Sequence, residues 1–418
     1  MKDVSAVILA AGLGTRMKTD TPKVLHELGG KTILGRIIDS LESAGSGSIT
    51  AVIGYKAEKI EEHFKARSIN FVRQNKLLGS GDALVCALDS GKIKEKYVLV
   101  TCGDTPLISG ETYKNIVGTF LSKKAAGVVL TAKINDPFSY GRIVKNKKGH
   151  ILKIVEEKDL RISEKKINEV NVGTYCFNKD ILDKYAKKIK LNEKKKEFYL
   201  TDIIEILSKN GHKVISETCP SCEMIGVNSR RDLAAAYKTI NDRTLERLME
   251  SGVTIVDPNN TYIDEIAKIG KDTVIFPNTV IETNVEIGEG CKIGPFTRLR
   301  PGTKISKDVE IGNFVELCRT KVGESTKIKH HTYLGDTIVG AHVNIGAGVI
   351  VANYDGKNKH QTVIDDNAFI GIGVRLIAPV RIGKAAKVGA GSVVTKHRDV
   401  PDGATVVGVP ARLFKSGV

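Results

Sequence analysis

An apolar run, VILAAGLGTRM, enters a turn with glycine at positions 12 and 14, and Arg16 and Lys23 follow within a few residues. Glycines after a strand let backbone N–H groups approach a ligand closely, most often a phosphate. Fixed positive charge beside them suits a triphosphate attacked at phosphorus, where catalysis is largely positioning and charge neutralisation. The turn is no dinucleotide fingerprint, because Met17 stands where GxGxxG needs its last glycine. It is no P-loop either, since no Gly-Lys-Ser/Thr follows. The plain alternative is a glycine turn with surface basic residues. Asp104 ends a second apolar run, YVLVTCGD, and so emerges at the carboxyl end of a buried strand, where open α/β sheets bind ligands. Beside phosphates a carboxylate there is a natural Mg²⁺ ligand, and before TPLIS it would also serve as a helix N-cap. Far along the chain, KHHTYLGD sets His330 and Tyr333 among small side chains. NIGAG and ANYDGKNK follow, so Asn344, Asn353, Tyr354 and Lys359 could converge on one groove. Alone, these are also what exposed polar residues look like.

The elements that must position these residues follow two grammars. Over residues 1–229, β-rich runs (VSAVILAAG, SITAVIGY, INFVRQ, KYVLVTCGD) alternate with helical patterns such as TILGRIIDSLESAG, whose Ile33, Ile37, Ile38 and Leu41 share a face. This alternation predicts an α/β, doubly wound, mostly parallel sheet. Residues 230–252 read as one linking helix closed by Gly252. Over 253–418 an aliphatic residue returns every six positions from Ile263 to Leu317, often followed by glycine, and the frame slips by one near Val322 and Val339. That period belongs to a parallel β-helix of hexapeptide repeats, each face of a coil contributing one inward aliphatic. The polar stretch ANYDGKNKHQTV interrupts the frame and predicts a loop projecting from one face.

Composition narrows the partners. The formal charge of +16 comes mostly from scattered lysines, Trp is absent, and no nucleic-acid motif is present. Polyanionic small substrates fit better than nucleic acid. No run approaches the roughly 18 apolar residues of a membrane span, and MKDVSAVILAAG enters a strand directly, unlike a signal peptide. A cytoplasmic enzyme is expected. Cys219 and Cys222 form a lone CxxC without further ligands, which reads as a loop carrying two thiols.

LAAGLGTRM–PK, CGDTPL, YGRI, VEEKD, NVGTY, YLTDII and GVN, followed by the hexapeptide repeats, resemble the bifunctional N-acetylglucosamine-1-phosphate uridyltransferase/glucosamine-1-phosphate acetyltransferase family, in order and over essentially the whole chain. The resemblance implies UTP at the glycine turn, against Leu9, Ala10, Ala11, Gly12, Gly14 and Lys23, with Arg16 and Lys23 stabilising charge. It implies Mg²⁺ on Asp104 and Asn228, a uracil-reading loop with Gln74, Gly79 and Ser80, and sugar-phosphate contacts at Gly141, Glu156, Asn171 and Asn228. In the second half it implies His330 as general base for the amine of glucosamine-1-phosphate, a role suited to imidazole near neutral pH. Arg300, Tyr333, Asn344 and Lys359 fall at sugar-phosphate positions. Asn353 and Tyr354 also match sugar-site positions and are assigned, with Ala347 and Ala390, to acetyl-CoA. A left-handed β-helix of this class implies a homotrimer with acyltransfer sites between subunits.

Three positions depart from the family pattern. Leu77 stands where the uracil loop usually has a second glutamine, Cys318 replaces a phosphate-reaching lysine after NFVE, and Ile372 replaces a small coenzyme-side residue. GVPARLF at the end is more like hexapeptide acyltransferases in general. The leading reading is the bifunctional enzyme. A nucleotidyltransferase whose β-helix serves only assembly, and a non-catalytic scaffold, are the competing ones.

Overall fold

Apolar runs bounded by glycine and polar turns become the strands of the first half, as their β-branched content dictates. The computed structural model describes residues 1–193 and 195–414. These divide into two compact units, Met1–Tyr237 and Lys238–Val418.

In the first unit the elements run β1 (Val4–Ala10), α1 (Ile33–Ser43), β2 (Ser48–Ile53), α2 (Ala57–His63), β3 (Asn70–Arg73), α3 (Ser80–Asp89), β4 (Tyr97–Cys102) and α4 (Gly110–Lys123). There follow β5 (Gly127–Lys133), β6 (Arg142–Lys145), β7 (Ile151–Val155), β8 (Glu169–Asn178), α5 (Lys179–Tyr185), α6 (Asp202–Lys209) and β9 (Val214–Thr218). The sheet order is β9-β5-β8-β4-β1-β2-β3, with β6 and β7 a hairpin attached to β8. β1, β2, β3 and β4 pair in parallel, as do β5 and β9, while β8 runs antiparallel between β4 and β5. Continuous burial of Ala6, Val7, Ile8, Val98, Leu99 and Val100 marks strands covered on both faces. The predicted face of α1 is fully buried, and Thr32 caps its first turn by accepting from the Gly35 N–H at 3.1 Å.

The second unit begins within a helix, α7 (Arg230–Glu250), and continues as three sheets of short parallel strands. Ile275 pairs with Ile293 and Ile281 with Leu299, so each coil takes eighteen residues. The inward aliphatics, Ile263 through Val406, form one continuous buried column. This is the left-handed parallel β-helix expected from the hexads. At the frame slips a coil takes seventeen residues: Leu317 pairs with Leu334 and Val322 with Val339. The polar interruption adds seven, since Val339 pairs with Ile364, and it forms a loop closed by a Tyr354–Lys359 bridge. Leu245 and Leu248 of α7 cover the first coil's open end, and Asn241 bonds the Thr261 carbonyl and the Ile263 N–H. Terminal coils need such caps because they have no neighbour on one side.

Candidate active sites

In the first unit a cleft of about 420 Å³ opens at the carboxyl ends of β1 and β4. Leu9, Ala10, Ala11, Gly12, Gly14, Lys23, Gln74, Gly79, Ser80 and Asp104 all line it. Gly14 has φ +63°, and a Cβ there would sit 2.8 Å from Lys23 Cβ, so the turn admits only glycine. A Cβ on Gly12 would meet no protein atom within 4 Å. Its absence leaves room in the cleft rather than relieving a clash. Arg16, expected as a second catalytic cation, lies exposed on the turn Thr15–Met17 and is not part of the cleft wall.

At the floor, Lys23 Nζ donates to Asp104 Oδ2 at 2.7 Å and to Asn228 Oδ1 at 3.1 Å. Two oxygens from β4's end and from the approach to α7 thus converge on one cationic centre. Asp104 caps no helix, because Ser109 accepts from Thr112 at the start of α4. A pair of hard oxygen donors open to a phosphate-sized cleft fits Mg²⁺, which binds through few protein ligands and completes its shell with waters and phosphates. Among the described residues no cluster of three His, Cys, Asp or Glu offers a richer cage, and no disulfide joins Cys219 to Cys222.

The expected sugar contacts gather on β8 and the hairpin. A Cβ on Gly141 would come 3.7 Å from both Asn171 Cβ and Glu156 Oε1. Asn171 donates to the Tyr175 hydroxyl at 2.8 Å, which fixes its amide. Burial pushes the Glu156 carboxyl above its ordinary value, against the hydroxyl of Thr201, with Asp159 and Asp202 adding to the rise. The cost lies in the charged form: it is present above the raised folded-state value and vanishes below the unfolded one. Glu156→Gln is therefore expected to melt higher than wild type at pH 8, with the gap closing as the pH falls toward 4.5. A gap that ignores pH in scanning calorimetry would show that charge burial is not its source. Burial likewise pushes Cys102 up to about 12, and its thiol feels Asp104, Lys23 and Glu156 together, so nucleotide floor and sugar pocket adjoin.

In the second unit the expected residues fall on two adjoining faces. His330, Asn344, Ala347, Ile372 and Ala390 line one groove of about 610 Å³. His330 Nδ1 lies 3.1 Å from Asn313 Oδ1. An amide oxygen only accepts, so Nδ1 carries the proton and Nε2 keeps a lone pair. Asn313 escaped the sequence reading, although it stands one coil before His330 and pairs with it in register. The neighbouring face carries Arg300, Tyr333 and Asn353. Arg300 donates to Glu316 at 2.9 Å. Asn353 donates to Asp336, which also takes a bidentate pair from Arg319. Cys318, where a lysine was expected, is buried, and Arg319 Nη1 reaches back over its sulfur at 2.9 Å. A guanidinium thus stands beside this position, one residue on, in an ion pair with Asp336. Tyr354 and Lys359 form the base of the projecting loop, where Lys359 acts on Asp336 through its charge.

Residues 6–167 match the MobA-like NTP transferase domain, and residues 266–301 and 361–396 match the bacterial transferase hexapeptide family. Over 97% of its length, and of the relative's, the chain is 42% identical to the bifunctional protein GlmU of Carboxydothermus hydrogenoformans. The chain belongs to the GlmU family. Likeness to GlmU of Acetivibrio thermocellus is 42% over 96% of the chain and 94% of the relative, and to that of Clostridium botulinum 38% over 99% and 97%. As a GlmU protein it is a two-activity enzyme, a uridylyltransferase joined to a glucosamine-1-phosphate acetyltransferase, making UDP-N-acetylglucosamine. Among the described residues no helix is long and apolar enough to cross a membrane.

Proposed function

We propose that the cleft at Gly12 and Gly14 binds UTP, and that the groove at His330 transfers acetyl from acetyl-CoA to glucosamine-1-phosphate. The convergence of Lys23, Asp104 and Asn228 on one point carries the first assignment. Glycine N–H groups cradle the phosphates, and Lys23, beside Asp104 and Asn228, brings positive charge to the developing negative charge. Asp104 and Asn228 would hold Mg²⁺, which would supply charge neutralisation to the triphosphate. An oxygen of N-acetylglucosamine-1-phosphate, oriented by Glu156 and Asn171, attacks the α-phosphorus, and pyrophosphate leaves with the broken bond's electrons.

In the second site Asn313 holds the tautomer, and His330 Nε2 takes the proton as the amine attacks the thioester carbonyl. The C–S bond breaks, and the coenzyme leaves as thiol. Ala347 and Ala390 leave room along the groove for the coenzyme, while Arg300, with Arg319 in place of the missing lysine, faces the sugar phosphate. A trimer is the assembly that this distribution favours, because the expected residues occupy two adjoining faces of the prism. At the corner between those faces Phe296 and Phe314 stack at 5.2 Å while 50% and 57% exposed, each at a positive φ that bulky residues seldom adopt. One purified preparation is expected to release thiol from acetyl-CoA with glucosamine-1-phosphate and pyrophosphate from UTP with N-acetylglucosamine-1-phosphate. Light scattering on it is expected to return three chains. Pyrophosphate without thiol would reduce the β-helix to an assembly module, and a monomer would remove the shared site.

A further inference from the structure

Gln74 follows β3 and is only 4% exposed, yet it lines the nucleotide cleft. Its backbone N–H donates to the Ile53 carbonyl at 2.8 Å, which seats it beside the end of β2. A side-chain amide offers two N–H donors at one end and an acceptor at the other, so its orientation decides which base edge it can read. Gln74 Nε2 lies 3.0 Å from the Gly79 carbonyl oxygen and 2.7 Å from Asp82 Oδ2. Neither a carbonyl nor a carboxylate can donate. The nitrogen must therefore face both, and Oε1 is the atom left for a ligand.

We propose that Asp82, in the first turn of α3, is a positioning residue that locks the Gln74 amide so that the cleft presents an acceptor to the nucleobase. An acceptor there selects a base with an N–H between two carbonyls, as uracil has at N3, and rejects cytosine, whose N3 is itself an acceptor. Leu77, also on the cleft wall, has no polar atom to share the task, and the Ser80 hydroxyl oxygen is engaged in accepting from the Leu200 N–H at 3.1 Å. Pyrimidine discrimination falls on Gln74, and its fidelity on Asp82. This inference rests on the cleft being the nucleotide site. The competing explanation of Asp82 is a first-turn acid favoured by the dipole of α3, which would affect stability and not selectivity.

The test is the ratio of kcat/KM for UTP over CTP, with N-acetylglucosamine-1-phosphate as acceptor, in wild type, Asp82→Leu, Asp82→Ala and Asp82→Asn. Leucine and alanine remove the acceptor, and each is expected to lower the ratio at least about tenfold. Asparagine keeps a carbonyl that can accept from Nε2, and its ratio is expected to stay within about threefold of wild type. Melting temperatures are followed in parallel. A ratio unchanged in the leucine and alanine variants, whatever their stability, would overturn the proposal. A wild type that turns over no nucleoside triphosphate would instead overturn the nucleotide reading on which it rests, a failure visible before any variant is made.

Discussion

Asp104→Asn is expected to lower the rate of pyrophosphate release from UTP by about 10²–10³-fold while leaving thiol release from acetyl-CoA untouched. The size follows from charge. A triphosphate brings several negative charges to a cleft whose lining cation is Lys23, and the oxygens of Asp104 and Asn228 converge on the point where a divalent ion would neutralise them. Asparagine keeps the shape and a neutral acceptor, so Lys23, whose side chain is 14% exposed, still has a partner and the fold should survive. What is lost is the negative charge that draws the metal. Chelation of divalent ions should reproduce the effect in wild type, and excess Mg²⁺ should recover part of the variant's rate. Full activity in Asp104→Asn would mean that the carboxylate serves only as Lys23's counter-ion. In that case Asp104→Ala would chiefly lower the melting temperature, because a part-buried ammonium would be left unpaired.

How much of this was legible beforehand differs between the two halves, for a physical reason. In the solenoid, inward residues must recur with the coil, so phase alone located Ile263 through Leu317. Even the slips at Val322 and Val339 survive as seventeen-residue coils with the aliphatic still inside. In the α/β unit, local pattern gave the strands β1 to β4 and the face of α1. The β6–β7 hairpin and the antiparallel insertion of β8 were not visible, because pairing partners far apart in sequence leave no periodic trace. The candidate sites divide along the same line. Glycines at the turn and the carboxylate at a strand end carry their chemistry in their type and position. Asp82 and Asn313 do not: each acts on a neighbour that only the fold brings within reach. Register arithmetic could have found Asn313, one coil before His330. For Asp82, eight residues past Gln74 and in a different element, no sequence signal existed. At Cys318 the sequence shows only that a lysine is missing, and the fold adds that the Arg319 guanidinium lies 2.9 Å from the sulfur while pairing with Asp336.

The same contrast governs the second large effect. His330→Ala is expected to reduce thiol release by about 10²–10⁴-fold, the range for removing a general base, with pyrophosphate release unchanged. An ammonium cannot attack a thioester until a proton leaves it, and among the groove's lining side chains the imidazole is the one suited to take that proton near neutrality. Asn313 sharpens the prediction. Asn313→Asp would place a carboxylate on Nδ1 and favour the imidazolium, so the pH profile of acetyl transfer should shift to higher pH as the base is held protonated. Asn313→Leu would leave Nδ1 without its acceptor and free the ring to adopt either tautomer, lowering kcat more than it raises KM. If His330→Ala keeps its rate, the amine loses its proton elsewhere. If it loses its rate while Asn313→Asp leaves the profile unmoved, His330 shapes the groove without accepting the proton. A shifted profile together with the lost rate is the combination that requires a base at Nε2, because only a titrating imidazole links a charge at Nδ1 to the pH at which the amine becomes a nucleophile.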